Sequence, residues 1–290
     1  MLEFEQARRM ILKNAAKLET EKVLTDDSVG RFLSEDILAG INMPPYNKSA
    51  MDGYALRARD IRDIPARLKC VGLIQAGRIA KGKASRVKTG ECVKIMTGAP
   101  VPESCDTVVM VEDTRIRKGY VEILKAVKRS KNICLKGEDI RKGQKVLQRG
   151  RTISLQDIAL LASVGRRYVK AVKKPRVAVL NTGGEIVPVG NRLGKGEIYN
   201  SNGPQLLSLL KSDGINADFL GIAKDKPAEL MKAIRKGLEY DVLLISGGVS
   251  MGDYDLVPGT LKTLGVKEIF HKVKTKPGKP LFFGVRGKTI

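Results

Sequence analysis

The chain has 290 residues, 53 Lys and Arg against 31 Asp and Glu, a net charge of +22 and a single histidine. A hydrophobic content of 42% excludes a disordered basic chain, and the length predicts about two domains. With His271 as its only histidine, the chain cannot build a His-rich zinc site, and a Ser-His-Asp triad would have to use that residue.

In chain order, residues 1–39 are helical in pattern. Phe4, Ala7, Ile11, Leu12 and Ala15 recur at helical spacing and Gly30 begins a break. GINMPPYNK (40–48) reads as a loop, because its two prolines cannot sit inside a helix. Residues 49–138 read as short strands and turns. Gly72, Gly77, Gly82, Gly90 and Gly98 punctuate them, and alternation over Val108–Val111 and Val121–Leu124 fits an all-β module. Residues 139–172 give a loop and then a helix over Leu155–Val164, with Gly165 as its C-cap. Beyond Pro175, strands at 176–180, 218–223, 241–246, 268–273 and 281–285 alternate with helices at 200–213, 228–239 and 257–264. Strands joined by crossover helices predict a mostly parallel sheet with helices on both faces. The expected fold class is α/β plus β, multidomain, with a helical N-terminal domain, an inserted β-rich domain and an α/β sheet domain.

No apolar run approaches the ~20 residues that a membrane-spanning helix needs, and MLEFEQARRM is not a signal peptide in pattern. Cys70, Cys92, Cys105 and Cys134 show no CxxC pair or zinc spacing, and are expected to be buried thiols in a reducing, cytoplasmic setting. The excess charge is local: Thr114–Arg176 holds 19 basic against 4 acidic residues, and Lys262–Ile290 holds 8 against 1. The first stretch reads as a solvated surface or as a nucleic-acid patch. With only Tyr120 and Tyr168 as aromatics, it lacks stacking platforms, so nucleic acid is not favoured as a partner. In the second, the lysines cluster on the turn KTKPGKP (274–280), which looks like an anion pocket.

Ligands of parallel α/β sheets bind off the carboxyl ends of the strands. Those ends here carry Thr182, Gly183, Gly184 and Glu185, then Ser246, Gly247, Gly248, Val249, Ser250, Met251, Gly252, Asp253, Tyr254 and Asp255, and then Lys276 and Lys279 before the last strand. Glycine-bearing loops offer N–H groups to an anion, Glu185, Asp253 and Asp255 offer oxygens to a hard cation such as Mg²⁺, and the lysines offer positive charge. The combination suits a phosphate ligand with Mg²⁺; the alternative is ordinary turn glycines with solvated charges. Neither GxGxxG nor GxxxxGK[ST] occurs, which disfavours a dinucleotide fold or a Walker NTPase.

PPYNKSAMDGYAL (44–56), IMTGAPVP (95–102), KGEDI (136–140), NTGGEI (181–186), IYNSNGPQL (198–206), SGGVSMGDYD (246–255) and KPGKPLFFG (276–284) follow in this order. Together they resemble the molybdopterin molybdenumtransferase family, which includes the E domain of gephyrin. The resemblance implies insertion of molybdenum into adenylylated molybdopterin from molybdate, with Mg²⁺, releasing AMP. Tungstate is the competing anion, being a tetrahedral dianion of similar size. It further implies a helical domain of 1–43 and 139–174, an inserted β-rich domain of 44–138, an α/β domain of 175–290, and a cytoplasmic homodimer with a shared active site.

Carried over by motif, the catalytic residues are Asp52, Thr97, Asp139, Glu185, Lys272 and Lys276. The substrate-binding residues are Thr182, Gly183, Ser246, Gly247, Gly248, Ser250, Lys276 and Lys279, and the metal ligands are Asp225, Asp255 and Glu185. For Asp52 and Asp139 the competing reading is turn or cap geometry. The chain departs from the family pattern in two places. Gly184 stands in TGGE where the family has the acid of TGDE, and the sequence ends at RGKTI, before the family's GLPGNPxS-like segment and C-terminal β domain. A non-catalytic molybdopterin-nucleotide-binding or scaffold protein is the alternative function. The adenylyltransferase of the same pathway is a third, which leaves residues 1–174 without a purpose.

Overall fold

In the computed structural model, residues 1–248 and 256–290 are described. The chain divides into two compact units. One comprises Met1–Val23, Asp27–Ser34 and Lys170–Ile290; the other comprises Leu24–Asp26 and Glu35–Val169.

The helix expected over 1–39 is confined to α1, Phe4–Asn14. Ala7 is buried, and Met10 and Ile11 pack with it against Phe270 and Val273. Phe4 and Leu12 are exposed, so the apolar stripe is narrower than the sequence pattern suggests. After α1, Thr20–Leu24 form strand β1, which pairs with Tyr168–Val172. TEKVL contains β-branched residues at two of its five positions, and pairing with a distant segment overrides a weak helical pattern.

The second unit is built on a six-stranded sheet: β2 Gly53–Leu56, β3 Ala66–Ile74, β4 Glu91–Ile95, β5 Thr107–Met110, β6 Thr114–Arg117 and β7 Tyr120–Ile123. Its spatial order is β5-β2-β4-β3-β7-β6. Neighbours are antiparallel except β3 and β4, whose long connection allows a parallel pairing. Both faces are covered. Ala55, Val93, Ile95 and Val108 form one core, and Tyr54, Leu56, Cys92 and Val109 form the other. Central strand β2 is therefore buried throughout rather than alternating. Helix α2, Leu155–Ser163, starts at a capping box in which Ser154 N–H donates to Asp157 Oδ2 (2.8 Å) and Asp157 N–H donates to Ser154 Oγ (3.3 Å). It ends at Gly165 with φ +77°. Strand β8, Tyr168–Val172, follows.

The other unit carries β9 Val177–Thr182, α3 Asn202–Ser212, β10 Asp218–Ala223, α4 Pro227–Gly237, β11 Val242–Ser246 and α5 Leu256–Thr263. The strands form a parallel sheet in the order β10-β9-β11. Every residue of β9 is buried, as its apolar run requires of a central strand covered on both faces. Leu180 packs with Leu230 and Ile234 of α4 and with Val257 and Leu261 of α5. Asn181, pointing to the opposite face, meets α3 at Gly203.

The last two strands do not extend the parallel sheet. β12 Lys267–His271 and β13 Phe282–Val285 pair antiparallel as a separate ladder. No helix lies between them, and a hairpin-like connection permits only the antiparallel arrangement. Among the described residues, no helix is long and apolar enough to cross a membrane. The cysteines are free, and only Cys92 and Cys105 are buried; Cys134 is half-buried and Cys70 exposed, against the expectation of four buried thiols. Burial pushes the Cys92 thiol upward, and Cys105 up to about 12.

Candidate functional site

In the β-rich unit, two of the expected site residues meet. Asp52 Oδ1 accepts from both the backbone N–H and the hydroxyl of Thr97, each at 2.7 Å. These two hydrogen bonds hold the Asp52 carboxyl below its usual range. Sequence forces the arrangement. Ser49 N–H donates to Ala99 O (2.9 Å) and Gly98 N–H to Ser49 O (2.8 Å), knitting the SAMDGYA and MTGAP turns together. Gly98 takes φ +81° in its turn. Gly53 lies so close to β5 that a Cβ there would sit 1.9 Å from Val109 O. Asp52 remains exposed.

Asp139 is held in a knot of its own. Its N–H donates to Met43 O (2.9 Å), Met43 N–H to Ile140 O (2.7 Å), and Gly137 N–H to Pro44 O (2.9 Å). The Asp139 side chain is exposed.

In the α/β unit, the ends of β9 and β11 bring together the TGGE turn and the first residues of the SGGVS loop. Thr182 is buried, and its hydroxyl has no hydrogen-bond partner among the described residues. It faces the Gly247–Gly248 turn: a Cβ at those glycines would lie 2.9 and 2.8 Å from Thr182 Oγ1. Gly247 and Gly248 have φ +98° and +61°, so glycine is required twice over. Asp225 Oδ2 accepts from Gly184 N–H (3.0 Å), tying the loop after β10 to the TGGE turn. Glu185 folds back along the same turn, with its Oε2 2.9 Å from where a Gly183 Cβ would stand.

Lys272, with φ +80°, and the exposed Lys276 and Lys279 lie on the β12–β13 connection. Neighbouring Lys274 is engaged by Glu3 at 2.9 Å. Asp255, Asp253 and Ser250 lie outside the described residues.

As a donor set, the carboxylates of Glu185 and Asp225 beside the Gly183–Gly184 turn offer hard oxygens that fit Mg²⁺ chemically. Among the described residues, no three carboxylate, Cys or His side chains gather as a metal cluster.

Sequence reasoning missed a polar bracket on the α3 face of the sheet. Asn200 Nδ2 donates to Asn181 Oδ1 (3.4 Å), and Gly203 N–H donates to Asn200 Oδ1 (3.0 Å). Asn202 Nδ2 donates to Ser246 Oγ (2.9 Å). Three asparagines in NTGG and YNSN were visible, but asparagine before a helix is read first as a cap.

Residues 2–165 match the family described as "MoeA N-terminal region (domain I and II)", and residues 178–290 match "Probable molybdopterin binding domain". The chain belongs to the MoeA family. Relatives named molybdopterin molybdenumtransferase from Staphylococcus epidermidis and Staphylococcus aureus are 34% and 33% identical over 279 residues. These alignments cover 94% of this chain and 66% of each relative, so the chain spans about two thirds of their length. The crystal structure of a molybdopterin biosynthesis MoeA protein from Pyrococcus horikoshii aligns with a TM-score of 0.84 at 34% identity, covering 98% of this chain and 72% of that one. This MoeA-family chain thus combines α/β and β architecture as the sequence predicted, with both site clusters inside the matched regions.

Proposed function

We propose that this chain inserts molybdenum into molybdopterin, using molybdate and adenylylated molybdopterin with Mg²⁺ and releasing AMP. The carrying observation is the end of the parallel sheet, where the Thr182 hydroxyl, without a partner among the described residues, the Gly247–Gly248 turn and the Asp225-braced TGGE turn converge. Glycine turns supply backbone N–H donors for a phosphate, and Thr182 supplies a desolvated hydroxyl that a bound ligand would satisfy. Glu185, Asp225 and Asp255 would hold Mg²⁺, which offsets phosphate charge when bound. Lys276 and Lys279 attract the molybdate dianion. Asp52, fixed as a carboxylate by Thr97, and Asp139 supply acceptors for the pterin's N–H groups.

The homodimer with a shared site, formed through 1–43 and 139–174, belongs to the same proposal. Mixing Asp52→Ala chains with Asp225→Ala chains should then restore activity that neither homodimer has, whereas a site within one chain restores none. The primary test is molybdate-dependent release of AMP from adenylylated molybdopterin. Tight binding of that ligand without AMP release would favour the non-catalytic binding protein instead.

A further inference from the structure

The asparagines of IYNSNGPQL have no role in the chemistry so far, yet they converge on a residue that does. Ser246 ends β11, and its register partner on β9 is Asn181. The two therefore share one face of the sheet, the face covered by the start of α3. Asn202, the first residue of α3, donates its Nδ2 to Ser246 Oγ at 2.9 Å. An amide NH₂ only donates, so Ser246 is the acceptor and its own hydrogen is left to point elsewhere.

The remaining contacts fix where Asn202 stands. Asn200 Oδ1 accepts from Gly203 N–H (3.0 Å), and Asn200 Nδ2 reaches Asn181 Oδ1 (3.4 Å). Gly203 lets the helix approach, since a Cβ there would lie 2.6 Å from Asn181 Oδ1 and 2.7 Å from Asn200 Nδ2. Asn181 is 0% exposed and its Nδ2 has no partner among the described residues. Thus one face gathers a hydroxyl hydrogen that Asn202 does not use, a buried amide donor with no partner among the described residues, and the N-terminus of an 11-residue helix. All three favour an oxyanion.

We propose that Asn202 is a positioning residue that aims the Ser246 hydroxyl at a phosphate oxygen of the bound ligand, with the Asn181–Asn200 bracket holding Asn202 in register. The proposal rests on the reading of the strand ends as a ligand site. It gives Ser246, already among the expected substrate-binding residues, a positioning partner that the sequence motifs did not assign.

Calorimetric titration of the full chain with adenylylated molybdopterin, and separately with AMP, tests it. Ser246→Ala should weaken binding about tenfold, because it removes a hydrogen bond to a charged oxygen. Asn202→Ala should weaken it about threefold to tenfold by freeing the hydroxyl to turn. The double variant should bind no worse than Ser246→Ala alone, since Asn202 acts only through Ser246. Asn202→Asp should keep the melting temperature, because an acid suits the first turn of a helix. It should nonetheless bind worse than Asn202→Ala, since its carboxylate captures the serine proton and repels the anion.

Parent-like affinity of Asn202→Ala, or additive losses in the double variant, overturns the positioning role while leaving the strand-end site standing. A parent that binds neither probe overturns both.

Discussion

The two polar clusters are built on opposite plans. Around Asp52 the protein satisfies its own charge: the carboxylate takes two hydrogen bonds from Thr97, and the turns beneath it are cross-bonded through Ser49, Gly98 and Ala99. At the ends of β9 and β11, the buried atoms Thr182 Oγ1 and Asn181 Nδ2 have no hydrogen-bond partner among the described residues. An unsatisfied buried polar group is costly, and under the proposed function a ligand at the strand ends offsets that cost. The first cluster is set before any ligand arrives. The second, under the proposed function, is completed by one.

That contrast breaks most sharply at glycine. Gly53→Ala drives a Cβ to 1.9 Å from Val109 O, and should destabilise the β-rich unit by about 3 kcal/mol or more. A melting temperature within a degree or two of the parent would show that β2 and β5 can separate cheaply. Next, Asp225→Ala removes the acceptor of the Gly184 N–H, and should slow AMP release on the order of tenfold to a hundredfold. Asp225→Asn keeps an acceptor but no charge. If it restores turnover, the residue braces the turn and is not a metal ligand.

The sharpest discrimination is between two hydroxyl deletions. Thr182→Val removes a buried hydroxyl with no partner among the described residues, and should stabilise the free protein by about 1 kcal/mol while weakening ligand binding. Thr97→Val removes a donor already in use, and should raise the Asp52 pKa toward 3.8 with no such gain in stability. Thermal melts with and without ligand, and NMR titration of Asp52, check these opposite signs. Equal behaviour of the two variants would dissolve the contrast.

The smallest effect is on acid stability. The Arg115 guanidinium first, with Arg67 beside it, holds Glu122 below the usual 4.5. Its contribution is therefore fully present above that value and is lost as pH falls through the folded pKa. Melting curves between pH 6 and 3 should fall less steeply for Glu122→Gln, from a lower plateau.

What the sequence made legible was periodic or punctuated. The apolar run of β9 and Gly165 as the C-cap of α2 gave elements within a few residues of those observed. The helical pattern of 1–39 exceeds the observed helix because the pairing of Thr20–Leu24 with Tyr168–Val172 leaves little trace in either segment. The antiparallel ending of the α/β unit was hidden for a related reason, since Leu281–Val285 looks the same in either sheet. Motifs named Asp52 and Thr97, but only folding shows that they touch. The Asn181–Asn200 and Gly184–Asp225 contacts join segments 19 and 41 residues apart, and local spacing carries no sign of them.

Gly203 shows what such closeness means for anyone altering this protein. It sits inside α3, where glycine is worse than alanine by about 1 kcal/mol on helix propensity alone. A stabilising redesign guided by helix scales would place alanine there first. The added methyl would wedge the helix start off β9, carrying Asn202 away from Ser246. The engineered chain would gain a sturdier isolated helix and, on the proposed role of Asn202, lose affinity for phosphate, so screening by heat resistance alone would select against the site.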